Sequence, residues 1–279
     1  KTLPVVGPGG PGKPPDPERI LAAKPDLVIM SLSYAQIYDP DKLQRELGVP
    51  VVVVDYTPAT SPDLSMFYRA LRLLGDILNR RERAEQLINF THSILEDLKR
   101  RVEGLDVTAF RVFVGAVSYR GAQPFTATQS PYPPLWWLST KSIADYVAEQ
   151  KGVRGFINLD FEYILAMQPD IVFIDENNLA VVLQDFSRSP QTYCSIKAFR
   201  EGRVYGLLPF NYYHTNIAVA LANAYYIGKV LYPDRFVDVD PVAKANEIFK
   251  VFLGVPIYQK FVEGGYQGFV NLADLFKCG

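Results

Sequence analysis

The chain has 279 residues, of which 29 are Lys or Arg and 30 are Asp or Glu, so its formal net charge is −1. This near balance gives no electrostatic basis for binding nucleic acid or an anionic membrane, and neither is expected as a partner. No apolar run approaches the roughly 18–20 residues that a membrane-spanning helix needs. The length and the 48% hydrophobic content allow one large domain or two ordinary ones, each with a core of its own.

Cysteine and histidine are scarce in this sequence. The two cysteines, Cys194 and Cys278, are too few for a disulfide framework or a cysteine-rich metal cluster. They could pair in an oxidising compartment, but free buried or tail thiols are the favoured interpretation. Because His92 and His214 are the two histidines, a three-histidine metal site is excluded. The aromatic content of 13% suits a protein that grips a large ligand as well as one that fills a core.

One phrase of the sequence occurs twice. Residues 16–29 read DPERILAAKPDLVI, residues 160–173 read DFEYILAMQPDIVF, and eight positions are identical at an offset of 144. In each copy the first Asp is predicted to cap a short helix, which Pro25 or Pro169 ends because the residue before a proline avoids the helical region. The apolar run after each proline is predicted to be a parallel strand that is buried on both faces.

Other predicted elements repeat around the two copies. After the first copy, a helix is predicted near 39–46, and the segment LGVPVVVVD (47–55) supplies a strand. A strand at about 111–117 precedes the second copy, and EGRVYGLLP (201–209) takes the place that 47–55 has in the first. Two copies of such an arrangement predict two similar lobes, each with its own parallel sheet.

A long helical stretch lies between the copies, over roughly 63–103, with a predicted break near Asn79. Its second part is about 22 residues long, or about 33 Å at 1.5 Å per residue, with its apolar positions on a single face. That length is enough for a stiff connection that runs along two lobes. The alternative is an ordinary helix packed within one lobe.

The predicted fold is therefore α/β, with two Rossmann-like lobes that contain parallel sheets and are joined by a long rigid interlobe helix. The expected boundaries are an N-terminal lobe at 1–78, the interlobe helix at 79–105 and a C-terminal lobe at 106–279. Because 15 residues precede the first copy and about 49 residues with a strand and a helix precede the second, the first lobe is expected to lack a strand and a helix. Lys1 opens directly into TLPVV without a signal peptide, which indicates a truncated or matured start.

Three long stretches carry a family resemblance: VFVGAVSYRGAQPFTATQSPYPP (112–134), NYYHTNIAVALANAYYIGKVLYPDRF (211–236) and FLGVPIYQKFVEGGYQGF (252–269). Together with the lobe–helix–lobe plan, they resemble the class III substrate-binding proteins of ABC importers, and most closely the iron(III)-binding branch. That class includes binding proteins for iron–siderophore complexes, haem, cobalamin and molybdate. The resemblance covers nearly the whole chain.

The resemblance implies an extracytoplasmic, non-enzymatic solute-binding protein that holds its ligand in a cleft between the lobes. It implies the periplasm or the cell surface, with a lipid anchor as one possibility, a monomeric state, and no permanent cofactor. The implied partner is the permease of an ABC importer, which contacts a glutamate in each copy of the repeated phrase. The matching residues are Glu18 and Glu162. The alternative is that each acid only complements a helix dipole.

Ligand-binding candidates are the polar and aromatic residues that follow predicted strands, because ligands of open α/β sheets bind beyond the carboxyl ends of the strands. Arg120 follows a strand directly and suits a carboxylate, a hydroxamate or an oxyanion. His214 could hydrogen-bond a ligand or contact a metal chelate. The full set of candidates is Tyr34, Tyr119, Arg120, Asn177, Tyr212 and His214.

Several alternatives stay open on the sequence alone. Trp136 and Trp137 suit either the mouth of a cleft or an aromatic core, and Asp175-Glu176 suit either a metal site or a helix cap. The expected ligand is an iron(III) chelate of the siderophore kind, with molybdate, tungstate, a corrinoid or haem as alternatives. A remote alternative is an α/β hydrolase that uses Ser118 and His214, although no G-x-S-x-G motif surrounds Ser118.

Overall fold

The computed structural model describes residues 3–8, 12–56, 61–212 and 214–278, except for the side chain of Tyr212. It divides the chain into two compact units. Unit 1 comprises Lys1–Tyr56 and Ser65–Arg81, and unit 2 comprises Thr57–Leu64 and Glu82–Gly279. Within the described residues, no helix is both long enough and apolar enough to cross a membrane. Parallel sheets flanked by helices confirm the predicted α/β class, while the separate status of the segment 79–105 stays a prediction.

Unit 1 is built from the first copy of the repeated phrase and the helix and strand that follow it. Its helices are α1 (Pro17–Ala22), α2 (Leu32–Ala35), α3 (Pro40–Leu47) and α4 (Ser65–Ile77), and its strands are β1 (Val28–Ser31) and β2 (Val51–Val54). The strands pair in parallel, with Val28 opposite Val51. The core of the unit comprises Ile20, Met30, Leu43 and Leu47.

The start and end of α1 follow from its sequence as predicted. The Asp16 carboxylate accepts a hydrogen bond of 3.1 Å from the Arg19 amide, and Pro17 occupies the first turn. The helix ends at Ala22, before Lys24 takes a left-handed conformation with φ of 50° and Pro25 begins the path to β1. A residue before proline is disfavoured in the right-handed helical region, so the helix cannot continue through it.

Unit 2 contains a longer series of elements. Its helices are α5 (Arg81–Val102), α6 (Pro133–Trp137), α7 (Ile143–Lys151), α8 (Phe161–Met167), α9 (Leu179–Arg188), α10 (Pro190–Cys194), α11 (Lys197–Arg200), α12 (Ile217–Leu231), α13 (Pro241–Leu253) and α14 (Tyr258–Glu263). Its strands are β3 (Val112–Gly115), β4 (Ala127–Ser130), β5 (Gly155–Asn158), β6 (Ile171–Asp175), β7 (Val204–Leu207), β8 (Asn211–Tyr212) and β9 (His214–Thr215). The central sheet is parallel in the order β3–β6–β7, whereas β4–β5 and β8–β9 are antiparallel pairs.

The predicted break in the long helical stretch is confirmed. Asn79 lies between α4 and α5 with a left-handed φ of 53°. Along α5 one face is buried at the spacing of three and four that the sequence indicates. The buried residues are Ala84, Ile88, Thr91, Ile94, Leu98 and Val102.

The second copy of the phrase repeats the end of the helix but not its cap. Gln168, which is equivalent to Lys24, also has a left-handed φ, here 43°. The predicted side-chain cap at Asp160 is wrong, since its carboxylate accepts no capping hydrogen bond. The Tyr163 amide instead donates 3.0 Å to the backbone carbonyl of Asp160, so the tighter first turn satisfies that donor without the side chain.

Asp170 connects the starts of β3 and β6. Its carboxylate accepts hydrogen bonds from the Arg111 amide at 2.8 Å and from Lys197 Nζ at 2.7 Å, and its own amide donates to the Arg111 carbonyl. Burial acts to raise the pKa of Asp170, but the hydrogen bonds from Lys197 and Arg111 outweigh it and lower that pKa. The equivalent residue of unit 1, Asp26, is exposed.

The two cysteines form a disulfide between Cys194 and Cys278, so the interpretation as free thiols is wrong. The sequence did not indicate this pair, because the two cysteines are 84 positions apart. The C-terminal segment returns along β7, where the Leu272 amide donates 2.7 Å to the Val204 carbonyl. Phe276 is buried in the core next to Cys278, and this path brings the last cysteine to the end of α10.

Loss of the disulfide should lower stability. A cross-link over a loop of this size restricts the unfolded chain, and removing a native disulfide typically costs about 2–5 kcal/mol of unfolding free energy. We expect a Cys194→Ser, Cys278→Ser double variant to lose an amount in this range in urea unfolding monitored by circular dichroism. Reductant should destabilise the wild type and leave the double variant unchanged. Equal unfolding midpoints for the oxidised and reduced wild type would contradict the cross-link.

Candidate functional site

The carboxyl ends of β3, β6 and β7 define one edge of the central sheet of unit 2, named here the site edge. The buried carboxylate of Asp175 ends β6 and accepts hydrogen bonds from the amides of Ser118 at 2.9 Å and Asn177 at 3.0 Å. It therefore fixes the loop that follows β3 and starts the turn that follows β6. The interpretation of Asp175 as a cap is confirmed. Burial raises its pKa to about 6, even though these hydrogen bonds act to lower it.

Asn178 joins the same two loops a second time. Its buried amide donates 2.8 Å to the Ala116 carbonyl and 3.3 Å to the Ser118 hydroxyl, and its Oδ1 accepts from the Gln123 amide at 3.0 Å. Because its donors and acceptor are all engaged by the protein, Asn178 holds the loops in place. Ser118 itself is buried, with an exposed fraction of 1%.

Tyr119 and Arg120 form an aromatic and cationic surface in the loop after β3. The Tyr119 ring stacks on Phe156 of β5 at a centroid distance of 4.1 Å, and the Arg120 guanidinium lies 4.9 Å from the Tyr119 ring centre. Arg120 is exposed, and its carbonyl accepts a hydrogen bond from Gln123 Nε2 at 2.6 Å. Gly121 follows with φ of 66°, a conformation that glycine adopts without strain. The Arg120 guanidinium thus lies over a stacked aromatic pair, on a backbone fixed by Gln123.

The segment after β7 contains the short strands β8 and β9, which pair in antiparallel orientation. Asn211 is buried and donates 3.0 Å to Gln129 Oε1, while its own Oδ1 accepts from the Thr215 hydroxyl at 3.1 Å. The backbone of Tyr212 pairs with that of His214 between these two strands. His214 is half-buried, whereas the predicted role of the Tyr212 side chain lies outside the described residues. The ligand roles of both residues stay predictions.

Glu176, the next residue after Asp175, turns toward the C-terminal segment. Its Oε2 accepts hydrogen bonds from the amides of Gln267 at 2.6 Å and Gly268 at 3.1 Å. The exposed Asn177 accepts a bond of 3.3 Å from the Tyr266 hydroxyl. Sequence reasoning missed this contribution of the C-terminal segment to the site edge, and the glycine-rich run GGYQG (264–268) was the available signal.

The two adjacent tryptophans differ in their burial. Trp137 is buried, and its Nε1 donates 3.1 Å to the Pro62 carbonyl. Trp136 has an exposed fraction of 55%. Within the described residues, no group of three or more His, Cys, Asp or Glu side chains is arranged to hold a metal ion.

The remaining candidates lie on the short helices. Tyr34 belongs to α2 of unit 1, where its hydroxyl donates to the Lys13 carbonyl and its ring lies 4.7 Å from Tyr38, so the described contacts of Tyr34 are internal to that unit. Glu18 and Glu162 are exposed in the first turns of α1 and α8. The structure thus brings Tyr119, Arg120 and Asn177 to one edge, while the roles of Tyr34 and the two glutamates stay predictions.

Glu176 should make stability depend on pH. Burial raises its pKa from 4.5 to about 7, and the nearby Asp175 adds to the rise while the two backbone hydrogen bonds oppose it. The folded state therefore binds more protons than the unfolded state between these values, so its stabilising contribution is full below pH 4.5 and is lost as the pH rises through 7. We expect Glu176→Gln to flatten this decline by roughly 1–3 kcal/mol in urea unfolding at pH 4.5–8. The exposed control Glu201→Gln should keep the wild-type slope, and identical slopes in all three proteins would contradict the assignment.

Both the sequence and the structure of this chain are similar to those of known proteins. Residues 5–209 match the family model described as periplasmic binding protein. The structure is similar to the TroA-like periplasmic binding protein FepB from Veillonella parvula, with 19% identity, coverage of 85% of this chain and 72% of that one, and a TM-score of 0.60. It is also similar to the molybdate periplasmic binding protein MolA from Haemophilus influenzae, with 18% identity, coverage of 87% and 76%, and a TM-score of 0.59.

A periplasmic heme binding protein from Pseudomonas aeruginosa is a third similar structure, with 18% identity, coverage of 79% and 76%, and a TM-score of 0.54. No protein with a curated description matches the sequence. At such identities these structures show a shared fold only. The family assignment rests on the family model, which matches most of the chain. The expected relation to the binding proteins of ABC importers is confirmed, and the chain belongs to the periplasmic binding protein family, whose members bind small solutes outside the cytoplasm and work with ABC transporter permeases.

Proposed function

We propose that this protein captures an iron(III) chelate of the siderophore kind and delivers it to an ABC importer. The observation that carries the proposal is the Arg120 guanidinium held over the stacked pair of Tyr119 and Phe156. A guanidinium recognises carboxylate and hydroxamate oxygens with two parallel hydrogen bonds, and the edges of the stacked rings offer apolar contact to the rim of a chelate. The exposed Asn177 on the neighbouring loop adds a polar group at the same site edge.

Molybdate or tungstate is the second candidate ligand, because an arginine also suits a small oxyanion. Similar structures are described as binding molybdate in one case and heme in another. The aromatic pair favours a larger ligand, since a tetrahedral oxyanion makes little use of apolar ring edges beside the guanidinium. Haem would contact the rings and pair its propionate carboxylates with the guanidinium, whereas a corrinoid, whose side chains are mostly neutral amides, needs less of the guanidinium.

A hydrolase is disfavoured by the environment of Ser118. The side chain has an exposed fraction of 1%, and its hydroxyl accepts a hydrogen bond from Asn178. A nucleophile must reach its substrate and be activated by a base, whereas Ser118 is enclosed among groups that hold two loops together.

Direct titration should detect binding and assign it to Arg120 and His214. Removing a charge-assisted hydrogen bond costs about 1.5–3 kcal/mol, so Arg120→Ala should weaken binding of a ferric trihydroxamate by about tenfold or more. His214→Ala should also weaken it. Arg188→Ala removes an exposed arginine from the last turn of α9 and serves as the matched control. Isothermal titration with ferric trihydroxamate, haemin and molybdate would compare the ligands. Wild-type affinity in both the Arg120 and the His214 variants would remove these residues from the site.

We further propose that Glu18 and Glu162 contact cationic residues of the permease. The support is that the repeated phrase gives each unit the same short helix with an exposed acid in its first turn. Exposed ion pairs contribute about 0–1 kcal/mol each and are screened by salt. Contact should therefore need both glutamates and should weaken as the ionic strength rises.

Reconstituted transport would test this contact. Glu18→Ala and Glu162→Ala should each lower the transport rate, the double variant should lower it most, and ligand affinity should stay constant in all three. Glu96→Ala removes an exposed acid from α5 and is the control. If the double variant transports at the wild-type rate, the two acids only complement their helix dipoles.

A further inference from the structure

The C-terminal segment reaches the site edge by pairing with the outer side of β7. The Gly206 amide donates 3.0 Å to the Val270 carbonyl, and the Leu272 amide donates 2.7 Å to Val204. A bridge between Tyr205 and Asn271 shows that the segment runs antiparallel to β7. Because β7 ends at the site edge, the beginning of this antiparallel segment, 266–268, lies at that same edge.

Glu176 fixes the beginning of the segment. Its side chain has an exposed fraction of 5%, with Oε2 accepting the amides of Gln267 and Gly268. Two glycines leave the room that this arrangement needs. A Cβ atom on Gly206 would lie 2.1 Å from Glu176 Oε1, and one on Gly268, where φ is 84°, would lie 2.4 Å from the Tyr258 hydroxyl. Neither position therefore accepts a larger side chain without displacing Glu176 or Tyr258.

Phe269 fixes the C-terminal segment immediately after Gly268. Its amide donates 2.7 Å to the Tyr258 hydroxyl, and its ring stacks on Tyr226 at a centroid distance of 4.6 Å. The backbone next to Tyr266 is thus fixed from both Glu176 and the aromatic groups. A side chain held on such a backbone is preorganised and loses little conformational entropy when it binds a ligand.

Tyr266 is the side chain that this arrangement presents. Its ring is half-buried, and its hydroxyl makes a bond of 3.3 Å with the exposed Asn177, which was already a ligand candidate. Burial and the nearby carboxyls of Asp175 and Glu176 raise the pKa of Tyr266, so its phenol keeps its proton near neutral pH. A neutral phenol donates a hydrogen bond to an oxygen of a chelate, whereas direct coordination of iron(III) would need the phenolate.

We propose that Tyr266 contacts the ligand as a hydrogen-bond donor to its oxygen atoms, and that Glu176 is the positioning residue that holds Tyr266 at the site edge. This inference rests on the proposed function. The long bond between Tyr266 and Asn177 is weak enough to be exchanged for a ligand oxygen, which leaves the Asn177 amide to make a second contact. Tyr266 therefore adds recognition of an oxygen-rich chelate to that made by Arg120.

Titration with a ferric trihydroxamate tests the contact. Tyr266→Phe should weaken binding about three- to tenfold, as expected for the loss of one hydrogen bond. Tyr146→Phe, which alters a more exposed tyrosine on α7, is the matched control and should bind as the wild type does. Unchanged affinity in both Tyr266→Phe and Tyr266→Ala, with weakened binding in Arg120→Ala, would overturn the role of Tyr266 and leave the proposed function standing. If the wild type binds neither ferric trihydroxamate, haemin nor molybdate, the proposed function fails and this inference fails with it.

Hydrogen exchange on the ligand-free protein tests the positioning role independently. Glu176→Gln keeps an oxygen that accepts the two amides, so residues 266–270 should stay protected and affinity should stay near that of the wild type. Glu176→Ala should lose both the protection and the affinity. Equal protection in all three proteins would overturn the role of Glu176. A visible charge-transfer band of a tyrosinate–iron complex, lost in Tyr266→Phe, would overturn hydrogen bonding in favour of direct coordination.

Discussion

The site edge of unit 2 depends on the hydrogen bonds that Asp175 accepts at the end of β6. The carboxylate takes the Ser118 amide from the loop after β3 and the Asn177 amide from its own turn. The residues that follow these amides include Tyr119, Arg120 and Asn178, so their positions are fixed through Asp175. Without this acceptor both backbone amides would lose their partner, and the loss at the buried amide of Ser118 would cost about 1–3 kcal/mol.

Asp175 and Glu176 hold segments on opposite sides of β6, because β6 is the central strand of its sheet. Asp175 serves the loop of β3 on one side, and Glu176 serves the C-terminal segment beside β7 on the other. Both carboxyls are kept from water, and burial raises the pKa of each, to about 6 and about 7 respectively. Because both groups ionise less readily in the folded state, the free energy of unfolding falls as the pH rises towards neutral. The same two carboxyls hold the loops in fixed positions.

Much of the fold could be predicted because local signals and the repeat agree. The paired phrase gave β1 and β6, and the sequence also predicted the break at Asn79 and the buried face of α5. The cap at Asp160 was predicted wrongly because a backbone carbonyl can satisfy the same amide that a side chain would.

The remaining errors have a common origin in contacts between distant parts of the chain. The disulfide joins residues 84 positions apart, and Glu176 accepts amides that lie about 91 positions later in the sequence. Neither contact leaves a periodic pattern in the sequence, since each joins a single residue to an irregular part of the C-terminal segment. The carboxyl-end rule located Tyr119, Arg120 and Asn177, but it could not find Tyr266, which reaches the edge from outside the parallel strands.

The two copies of the phrase show which parts of the motif depend on their surroundings. The left-handed residue before proline and the exposed acid in the first turn recur at both sites, because each is determined within the phrase itself. The packing differs: Phe173 is fully buried between neighbours, whereas Ile29, at the equivalent position, has an exposed fraction of 49%. The groups that hold the loops of the site edge, such as Asn178 and Glu176, lie after the second phrase and have no counterpart in the first, where β1 leads into α2. The repeated features are therefore set within the phrase itself, whereas the groups that hold the loops of the site edge in unit 2 are not repeated.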